Sequence, residues 1–343
     1  MHRTVKYATM KTENNFLSRD FPIDLVYLWV DGNDPKWQAK HKEYKSMAGD
    51  VDISKQVLAD ARWRNNDELR YSLRSVERYA PWINHIYIVT DNQCPEWLNP
   101  NHPKISIIDH SEILPKDALP TFNSTAIESC LHKIPNLSEH FLFSNDDMLF
   151  SGEVTPDMFF SEDGQSIVRL RQFNRVTFVK RGNYTKMLWH MQELVESLTG
   201  RMIPYAPHHN IDAYRRSDIE YCVSLFGDEW QRTAYSRFRD DADMHRSFID
   251  YYTVATGRAK MRRVGRFDRV HGVMGVLRAI FTNRYAMDSY RIRLSKKDYS
   301  AILRRLNPLM ICMNDSERTS EDDCRRMVAF LEELFPQKSQ FER

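Results

Sequence analysis

The stretch Phe141–Phe150, FLFSNDDMLF, is the part of the sequence from which the fold can be worked out. An apolar run stops at a polar triplet, Asn145, Asp146 and Asp147, and further apolar residues follow it. This pattern predicts a buried strand whose carboxyl end delivers polar side chains to a site. Two adjacent carboxylates repel each other and lose hydration there unless positive charge lies beside them. We therefore expect either a hard divalent cation, Mg²⁺ or Mn²⁺, or a water-exposed turn capped by the two aspartates.

The composition is that of an ordinary globular protein. Its 343 residues are enough for one large domain or two smaller ones, and 42% hydrophobic with 28% charged residues is a typical balance. Lys and Arg total 49 against 47 Asp and Glu, which gives a net charge of +2. Nucleic-acid binding usually shows as a basic excess, so we expect no nucleic-acid partner.

Membrane and redox signals are weak throughout the sequence. No apolar stretch approaches the 18 or so residues that a membrane-spanning helix needs, and residues 1–16 contain no uninterrupted hydrophobic region. We expect a cytoplasmic protein, with peripheral attachment to the inner face of the cell membrane as an option through partners or surface charge. The five cysteines are scattered and have no CxxC spacing, which predicts reduced, mostly buried thiols.

A second strand is predicted near the start, where Ile23–Val30, IDLVYLWV, ends on the turn Asp31-Gly32-Asn33-Asp34-Pro35. Open α/β sheets place ligands after such strands, although an ordinary glycine turn has the same composition. The charged residues 36–60 predict a mobile surface segment, and residues 1–20 predict a polar, loosely attached arm.

The next segments alternate between helix and strand. Residues 62–79 predict a helix that is capped by Asn66 or Asp67 and buries Leu69, Leu73, Val76 and Ala80. On a neighbouring face, Arg70 and Arg74 form either a solvated stripe or a pair of phosphate ligands. Strands are predicted at residues 86–90 and 104–109, and a helix at residues 123–132.

This alternation predicts an α/β fold with a mostly parallel, Rossmann-like sheet over residues 21–160. Three of its strands end in acidic or amide-rich turns, at Asp31, at Asp91 and at Asn145. Parallel strands bring such turns to one edge of the sheet, so the residues predict a nucleotide and metal site there.

Residues 161–343 predict a mixed, largely helical part that completes the same site. Segments 166–180, 290–294 and 309–313 have the pattern of strands, and 187–198, 243–255 and the stretch from Ser320 to Pro336 that of helices. Residues 256–285, rich in Arg and Gly, predict irregular structure.

Two polar segments of this second part are candidates for chemistry. His208 and His209 stand near Asp212 in a probable loop before a helix, where they are either structural or catalytic. In RFRDDADM (237–244), the arginines either clamp a phosphate or pair with the neighbouring aspartates.

Taken together, these segments resemble the Stealth family of hexose-1-phosphate transferases, which includes bacterial capsular polysaccharide phosphotransferases and the catalytic part of the animal enzyme that tags lysosomal glycoproteins. The resemblance rests on IDLVYLWVDGNDP (23–35), RNNDELRYSLRSVERYAPWINHIYIVTDNQ (64–93), LPTFNSTAIESCLHKIPNLSEHFLFSNDDM (119–148), PHHNID (207–212), FRDDADM (238–244) and CMNDSE (312–317). The first blocks are long and specific, and residues 256–305 match nothing assignable.

The resemblance implies a reaction and roles for particular residues. A sugar 1-phosphate would pass from a nucleotide sugar, of the UDP-N-acetylhexosamine type, to a hydroxyl of a saccharide acceptor, with release of a nucleoside monophosphate. A capsule-assembly complex would be a further partner. The catalytic candidates are His209 as general base, with His208 as the fallback for register, and Arg239 as phosphate clamp. The metal candidates, with Mg²⁺ or Mn²⁺, are Asp146, Asp147, Asn314 and Asp315. The substrate-binding candidates are Asp31, Gly32, Arg70, Ser72, Asn123 and Asn145.

Two other functions are compatible with the same residues. A metal-dependent glycosyltransferase would attack the sugar carbon and release a nucleoside diphosphate. A non-catalytic nucleotide-sugar-binding module would bind the same donor without turnover. The nucleotide that is released separates these possibilities.

Overall fold

The structure is a computed structural model that describes residues 20–47, 63–172 and 183–343. Its strands, in chain order, are β1 (Ile23–Leu28), β2 (Ile86–Thr90), β3 (Ile105–Asp109), β4 (His140–Asn145), β5 (Met148–Phe150), β6 (Ile167–Gln172), β7 (Tyr205–Pro207), β8 (Asp212–Arg215), β9 (Lys260–Arg263), β10 (Ser289–Arg293) and β11 (Met310–Asn314). Its helices are α1 (Pro35–Met47), α2 (Glu68–Tyr79), α3 (His110–Ile113), α4 (Ser124–Glu128), α5 (Asn183–Thr199), α6 (Arg216–Leu225), α7 (Gly227–Ala234), α8 (Ser247–Ala255), α9 (Gly272–Thr282), α10 (Tyr299–Leu306) and α11 (Glu321–Leu334).

The central sheet has the order β3-β2-β1-β4-β8. The first four strands run parallel, and β8 pairs antiparallel with β4 at the edge. Leu28 lies opposite Val89 on one side and Asn145 on the other, so the carboxyl ends of β1, β2 and β4 are adjacent. This arrangement confirms the predicted α/β fold with a mostly parallel sheet.

Two small sheets extend from the central one. Strand β5 follows β4 after a two-residue turn and joins β10 and β11, whereas β6 joins β7 and β9. Because β8 completes the central sheet and β11 pairs with β5, residues after 160 contribute directly to the structure around the carboxyl edge.

The core lies on both faces of the central sheet, as expected for buried parallel strands. On one face, Val26, Val89 and Phe143 pack with residues of α6 and α8. On the other face, Leu25, Tyr27 and Ile88 pack against α2, whose Leu69, Leu73 and Val76 are all buried as the sequence predicts. The two faces bury different residues of each strand, because consecutive side chains point to opposite faces of the sheet.

The amino-terminal ends of helices α2 and α11 are capped in different ways. Asp67 occupies the position before α2, but its side chain makes no capping hydrogen bond and its φ is 63°. The carboxylate of Glu68 instead accepts hydrogen bonds from the backbone N and Nδ2 of Asn66, at 2.7 and 2.8 Å. The predicted cap of the last helix is confirmed, because Ser320 and Asp323 form a capping box.

Several local predictions differ from the structure. Residues 35–47 form α1 rather than a mobile segment, because Trp37 anchors one face in the core. Residues 256–285 are not irregular, since they contain β9 and α9, and the histidine loop leads into strand β8 before helix α6 begins. The predicted helix at 123–132 is only five residues long, followed by a turn at Leu131–Lys133.

Some predictions fall on residues outside the described ranges, namely the arm over 1–19, the remainder of 36–60 from residue 48, and 173–180 of the predicted strand. Among the helices of the described ranges, none is long and apolar enough to cross a membrane.

Candidate active site

A cavity of about 590 Å³ opens at the carboxyl edge of the parallel strands. Residues that end or follow all four of these strands line it. They are Leu28, Trp29 and Val30 after β1, Val89 in β2, His110 after β3, and Asn145, Asp146 and Asp147 at the end of β4. The edge predicted from the turns is therefore the place where the cavity forms.

Carboxylates are concentrated on one wall of the cavity. Asp146 and Asp147 occupy the turn between β4 and β5, Glu68 begins α2, and Asp315 follows β11. Burial, opposed by the hydrogen bond from Cys312 and aided by the charges of Glu68 and Asp315, raises the pKa of Asp147 to about 6. Burial and the charge of Asp147 also raise the pKa of Asp146 well above its usual value. The cluster thus holds more negative charge than its buried surroundings stabilise.

Strand pairing brings residues 312–315 to this wall. Cys312 lies opposite Met148 in the antiparallel pair of β11 and β5, and the backbone N of Met313 donates to the carbonyl of Asp147 at 2.8 Å. The thiol of Cys312 donates to Oδ2 of Asp147 across 3.2 Å. Burial raises the pKa of this thiol well above its usual value, so it is protonated and acts as a hydrogen-bond donor.

The loop before β8 brings His209 to the same wall. Asp212 lies opposite Phe143, so the antiparallel β8 starts beside the end of β4. One ligand atom each of His209, Asp147 and Cys312 lie within 4.8 Å of one another. Burial, together with the charges of Arg246 and Arg291, lowers the pKa of His209 to about 3. The imidazole is therefore neutral at pH 7.

The side chain of His208 points in a different direction from that of His209. Its backbone N donates to the carbonyl of Arg169 at 3.1 Å, and its ring Nδ1 lies 2.7 Å from Oγ of Ser289. Burial lowers its pKa to about 4. Of the two histidines, the geometry places His209 beside the acidic wall and ties His208 to β6 and β10.

The acidic wall fits a hard divalent cation better than a soft one. Oδ1 of Asp147 is buried and has no hydrogen-bond partner among the residues that the structure describes. A cation held by Asp146 and Asp147, with Glu68 and Asp315 beside them, would compensate the surplus negative charge through oxygen ligands, as Mg²⁺ and Mn²⁺ prefer. The sulfur of Cys312 does not suit such an ion, because the thiol is protonated and already bonded to Asp147.

Arg239 reaches the cavity from a segment that α4 holds in place. Phe122 donates from its backbone N to the carbonyl of Arg237 at 2.8 Å, and Nδ2 of Asn123 donates to Oδ2 of Asp243 at 2.8 Å. The guanidinium of Arg239 donates to Oγ of Ser124, and both side chains line the cavity. Asn123 is therefore a positioning residue for Arg239.

Other cationic groups also line the cavity. Arg64 pairs with Asp315 at 3.2 Å, and Arg318 lies a few residues beyond Asp315 on the same wall. Arginines beside a carboxylate cluster suit a ligand that carries phosphate groups, because a phosphate could contact the arginines directly and the carboxylates through a metal.

Aromatic rings form a further wall of the cavity. The ring of Trp37 lies 5.0 Å from that of Trp63 and 5.5 Å from that of Phe122, which it meets edge to face. Nε1 of Trp63 is buried without a hydrogen-bond partner in the described ranges, and this leaves a donor for a ligand. Gly32 packs against Trp63 so closely that an added Cβ would lie 2.0 Å from the Trp63 carbonyl oxygen.

The structure brings most of the predicted site residues to one place. Asn145, Asp146, Asp147, Arg239, Asn314 and Asp315 line the cavity, and His209 adjoins it at Asp147. The turn at Asp31 and Gly32 supports the aromatic wall without lining the cavity, and the backbone N of Asp31 donates to Oε1 of Gln93 at 2.8 Å.

Two predicted substrate contacts lie elsewhere. Nε of Arg70 donates to Glu342 at 2.9 Å, and Oγ of Ser72 donates to the carbonyl of Met148 at 2.5 Å inside the core. Both residues belong to α2. Their side chains point toward Glu342 and β5, away from the cavity. Neither side chain is among the residues that line the cavity.

Sequence reasoning missed several lining residues, among them Trp63, Arg64, Glu68 and His110. Glu68 adjoins the predicted cap of α2, so an acidic residue at a helix start was the available signal. For Trp63, the signal was the density of tryptophans around the glycine turn. His110 and Arg64 gave no such signal.

A parallel α/β sheet with carboxylates, arginines and a histidine at its carboxyl edge is typical of a site that handles nucleotides or phosphates. Comparison with known proteins assigns the family. Residues 21–49 match the Stealth protein CR1, conserved region 1, and residues 62–168 match the Stealth protein CR2, conserved region 2.

Curated relatives extend the match over most of the chain. An exopolysaccharide phosphotransferase of Streptomyces coelicolor is 36% identical over 94% of this chain and 53% of its own length. The exopolysaccharide phosphotransferase cps2G of Lactiplantibacillus plantarum is 32% identical over 96% of this chain and 98% of its length. The capsular polysaccharide phosphotransferase LcbA of Aeromonas hydrophila is 38% identical over 70% of this chain and 68% of its length. The chain thus spans about half of the first relative and nearly all of the second, and it belongs to the Stealth family of phosphotransferases.

Among solved structures, the galactosyltransferase LgtC in complex with donor and acceptor sugar analogs is similar over 93% of this chain and 97% of its own. Its identity to this chain is 12% and the TM-score is 0.43, a likeness too distant to bear on the activity.

Proposed function

We propose that this protein transfers a sugar 1-phosphate from a nucleotide sugar to a hydroxyl of a saccharide acceptor, in capsular or exopolysaccharide synthesis. The observation that carries the proposal is the position of a neutral His209 within 4.8 Å of Asp147, beside a cavity that Arg239 lines. Three functional groups meet there: a base, carboxylates for a metal, and a cation for phosphate. The names of the relatives support the same reaction, since all three are phosphotransferases.

In the proposed step, the acceptor oxygen forms a bond to the phosphorus that carries the sugar. The bond from that phosphorus to the bridging oxygen of the diphosphate breaks, and nucleoside monophosphate leaves with its electron pair. The acceptor proton passes to the ring nitrogen of His209. Arg239 stabilises the charge that spreads over the phosphoryl oxygens.

A bound Mg²⁺ or Mn²⁺ would neutralise charge on the diphosphate, and Asp146 and Asp147 are the residues proposed to hold it. Asn314 and Asp315 lie beside them and are proposed to bind the ion or its water ligands. Asn145, at the end of β4, is proposed to contact the donor sugar phosphate.

The donor side of the cavity suits a nucleotide. We assign the rings of Trp37, Trp63 and Phe122 to the base and ribose, because flat apolar rings pack on a nucleobase and Nε1 of Trp63 is available as a donor. The turn at Asp31 and Gly32 shapes this wall from behind. The favoured donor is a UDP-N-acetylhexosamine, the acceptor is a saccharide, and the reaction would take place at the cytoplasmic side of a capsule-assembly complex.

The test is to incubate purified protein with a panel of nucleotide sugars, short saccharide acceptors, and Mg²⁺, Mn²⁺ or EDTA. The released nucleotide is identified by chromatography and the product linkage by phosphorus NMR. We expect nucleoside monophosphate only when metal and acceptor are present. Nucleoside diphosphate would show a glycosyltransferase instead, and tight donor binding without turnover across the panel would favour a binding module.

Variants connect this turnover to the site. His209→Ala should lower the rate of monophosphate release by about 10²–10⁴-fold, the usual contribution of a positioned base. His190→Ala, on α5, is the matched control and should keep the rate. Arg239→Lys should lower the rate as well, because an ammonium keeps the charge but loses the planar pair of donors. A full rate in His209→Ala would overturn the assignment of the base.

A further inference from the structure

Helix α9 (Gly272–Thr282) exposes an apolar stripe. Val273 is 77% exposed, Met274 78% and Phe281 84%, and Leu277 and Ile280 are also exposed. We call these five residues the α9 face. In the same helix only Ala279 is buried. Soluble proteins rarely leave so many large apolar side chains of one helix in water, and such patches mark interaction sites.

The five residues share one side of the helix. At 100° per residue, positions 273, 274, 277, 280 and 281 fall within a stripe roughly 120° wide. The buried Ala279 lies on the opposite side, and Arg278 borders the stripe. The helix thus packs on the protein through its small residues and turns its large apolar side chains outward.

Basic residues are concentrated in the part of the sequence that contains this helix. Residues 258–284 contain eight Lys and Arg, at 258, 260, 262, 263, 266, 269, 278 and 284, against one acidic residue, Asp268. The whole chain has a net charge of only +2, so this segment carries a concentrated positive charge. Five of its arginines form no ion pair within the described ranges: Arg263, Arg266, Arg269, Arg278 and Arg284. Their charge is available to an external anion.

We propose that the α9 face docks on a lipid bilayer with an anionic surface, with the apolar stripe in the interface and the unpaired arginines on the head groups. Exposed apolar residues next to basic ones are the combination that binds helices in the plane of such a surface. A second copy of the chain fits less well, because a two-fold contact through this face would bring Arg278 of one copy close to the arginines of the other. The proposal stands on this surface alone and does not depend on the reaction proposed above.

Vesicle co-sedimentation tests the proposal with the full chain. Sucrose-loaded vesicles of phosphatidylglycerol and phosphatidylethanolamine are compared with vesicles of phosphatidylcholine alone. We expect binding to the anionic vesicles and about tenfold weaker binding to the neutral ones. Raising the salt from about 0.05 M to 0.5 M should weaken the binding by a similar factor, since it shortens the screening length.

Variants separate the apolar and the charged contribution. Met274→Ser with Phe281→Ser, and separately Arg278→Glu with Arg284→Glu, should each reduce binding to anionic vesicles by about tenfold or more. The matched controls are Leu198→Ser, an exposed apolar residue of α5, and Lys338→Glu, an exposed lysine outside this region. Both controls should bind as the wild type does. Nucleotide release by all variants in the absence of lipid should equal that of the wild type.

A labelled protein reports the contact while it keeps the other four residues of the α9 face. Phe281→Cys in a Cys94→Ser background, in which the remaining native cysteines are buried, carries an environment-sensitive fluorophore. We expect a blue shift of its emission only when anionic vesicles are added.

Three results would overturn the proposal. One is equal binding of both double variants and the wild type. The second is a blue-shifted label before lipid is added, which would mean that protein covers the face. The third is a wild type that self-associates through this face, with monomeric Phe281→Ser and no vesicle binding by either.

Discussion

The thiol of Cys312 lies 3.2 Å from Oδ2 of Asp147, although the two residues are 165 positions apart. This hydrogen bond joins the last strand of a small sheet to the turn that ends the central strand β4. It places Asn314 and Asp315 on the acidic wall beside Asp146. The site is therefore assembled where two sheets meet, and the proposal that it binds a metal can be tested at Asp147.

Asp147→Asn should abolish the stabilisation of the protein by metal. In the absence of metal, the variant should be more stable than the wild type. The folded-state pKa of Asp147, about 6, lies above the unfolded value of about 3.8, so ionisation penalises the folded state. The penalty is absent below pH 3.8, grows between pH 3.8 and 6, and is complete above pH 6. At pH 7.5 in EDTA, the variant should be more stable by about 1–3 kcal/mol.

Thermal unfolding with and without Mg²⁺ measures this effect. Mg²⁺ should raise the Tm of the wild type and leave that of Asp147→Asn unchanged. A variant that melts below the wild type in EDTA, or that Mg²⁺ still stabilises, would contradict the assignment of Asp147 as a metal ligand.

Gly32→Ala should displace Trp63 and weaken donor binding. The added Cβ would lie 2.0 Å from the Trp63 carbonyl oxygen, a backbone atom that cannot rotate away. We expect the KM for the nucleotide sugar to rise about tenfold and the free energy of unfolding to fall by about 1–3 kcal/mol. The matched control is Gly227→Ala, where nothing lies within 4 Å of the added Cβ, and it should not affect KM. A normal KM in Gly32→Ala would show that the aromatic wall does not bind the donor.

Asn123→Ala should lower both stability and kcat. It removes the hydrogen bond to Asp243, whose pKa burial raises, and it removes the acceptor of the Thr125 backbone N at the start of α4. The loss should be about 1–3 kcal/mol of unfolding free energy, together with a lower kcat because the segment that carries Arg239 loosens. Steady-state kinetics and denaturant unfolding measure the two effects. Asn101→Ala, at an exposed loop position, is the control, and an unchanged kcat in Asn123→Ala would show that Arg239 is held by other contacts.

Glu342→Gln should destabilise the fold without changing the kinetics. Burial opposes ionisation of Glu342, but hydrogen bonds from Arg74 and the Ser339 backbone outweigh it and lower its pKa to about 2. Since this is below the unfolded value, the stabilisation is complete above pH 4.5 and is lost as the pH falls toward 2. Breaking the buried pair should cost about 3 kcal/mol at pH 7.

Denaturant unfolding between pH 3 and 7 checks this prediction. The stability of the wild type should decline more steeply with falling pH than that of Glu342→Gln, and the two should converge in acid. Because Arg70 pairs with the same carboxylate away from the cavity, the KM for the donor should stay constant. A raised KM would indicate that Arg70 contributes to binding of the donor.

The sequence by itself determined the α/β fold, the parallel strands and the edge at which they place their ligands. Local pattern was sufficient for this, because apolar runs that stop at Asp31 and at Asn145 mark buried strands and their carboxyl ends. The resemblance to the Stealth family then indicated His209 and Arg239. Local pattern did not predict helix α9, because its large apolar residues face outward and do not pack in a core.

Only the tertiary structure decided which polar residues share the cavity. Helix α2 carries both Glu68, which lines the cavity, and Arg70, which turns to Glu342, and the sequence alone does not separate them. In the loop before β8, His209 lies beside Asp147, whereas Nδ1 of His208 lies 2.7 Å from Oγ of Ser289, and the sequence alone does not separate the two histidines. Such choices depend on contacts between residues far apart in the sequence, 81 positions for His208 and Ser289 and 272 for Arg70 and Glu342, which no local pattern encodes.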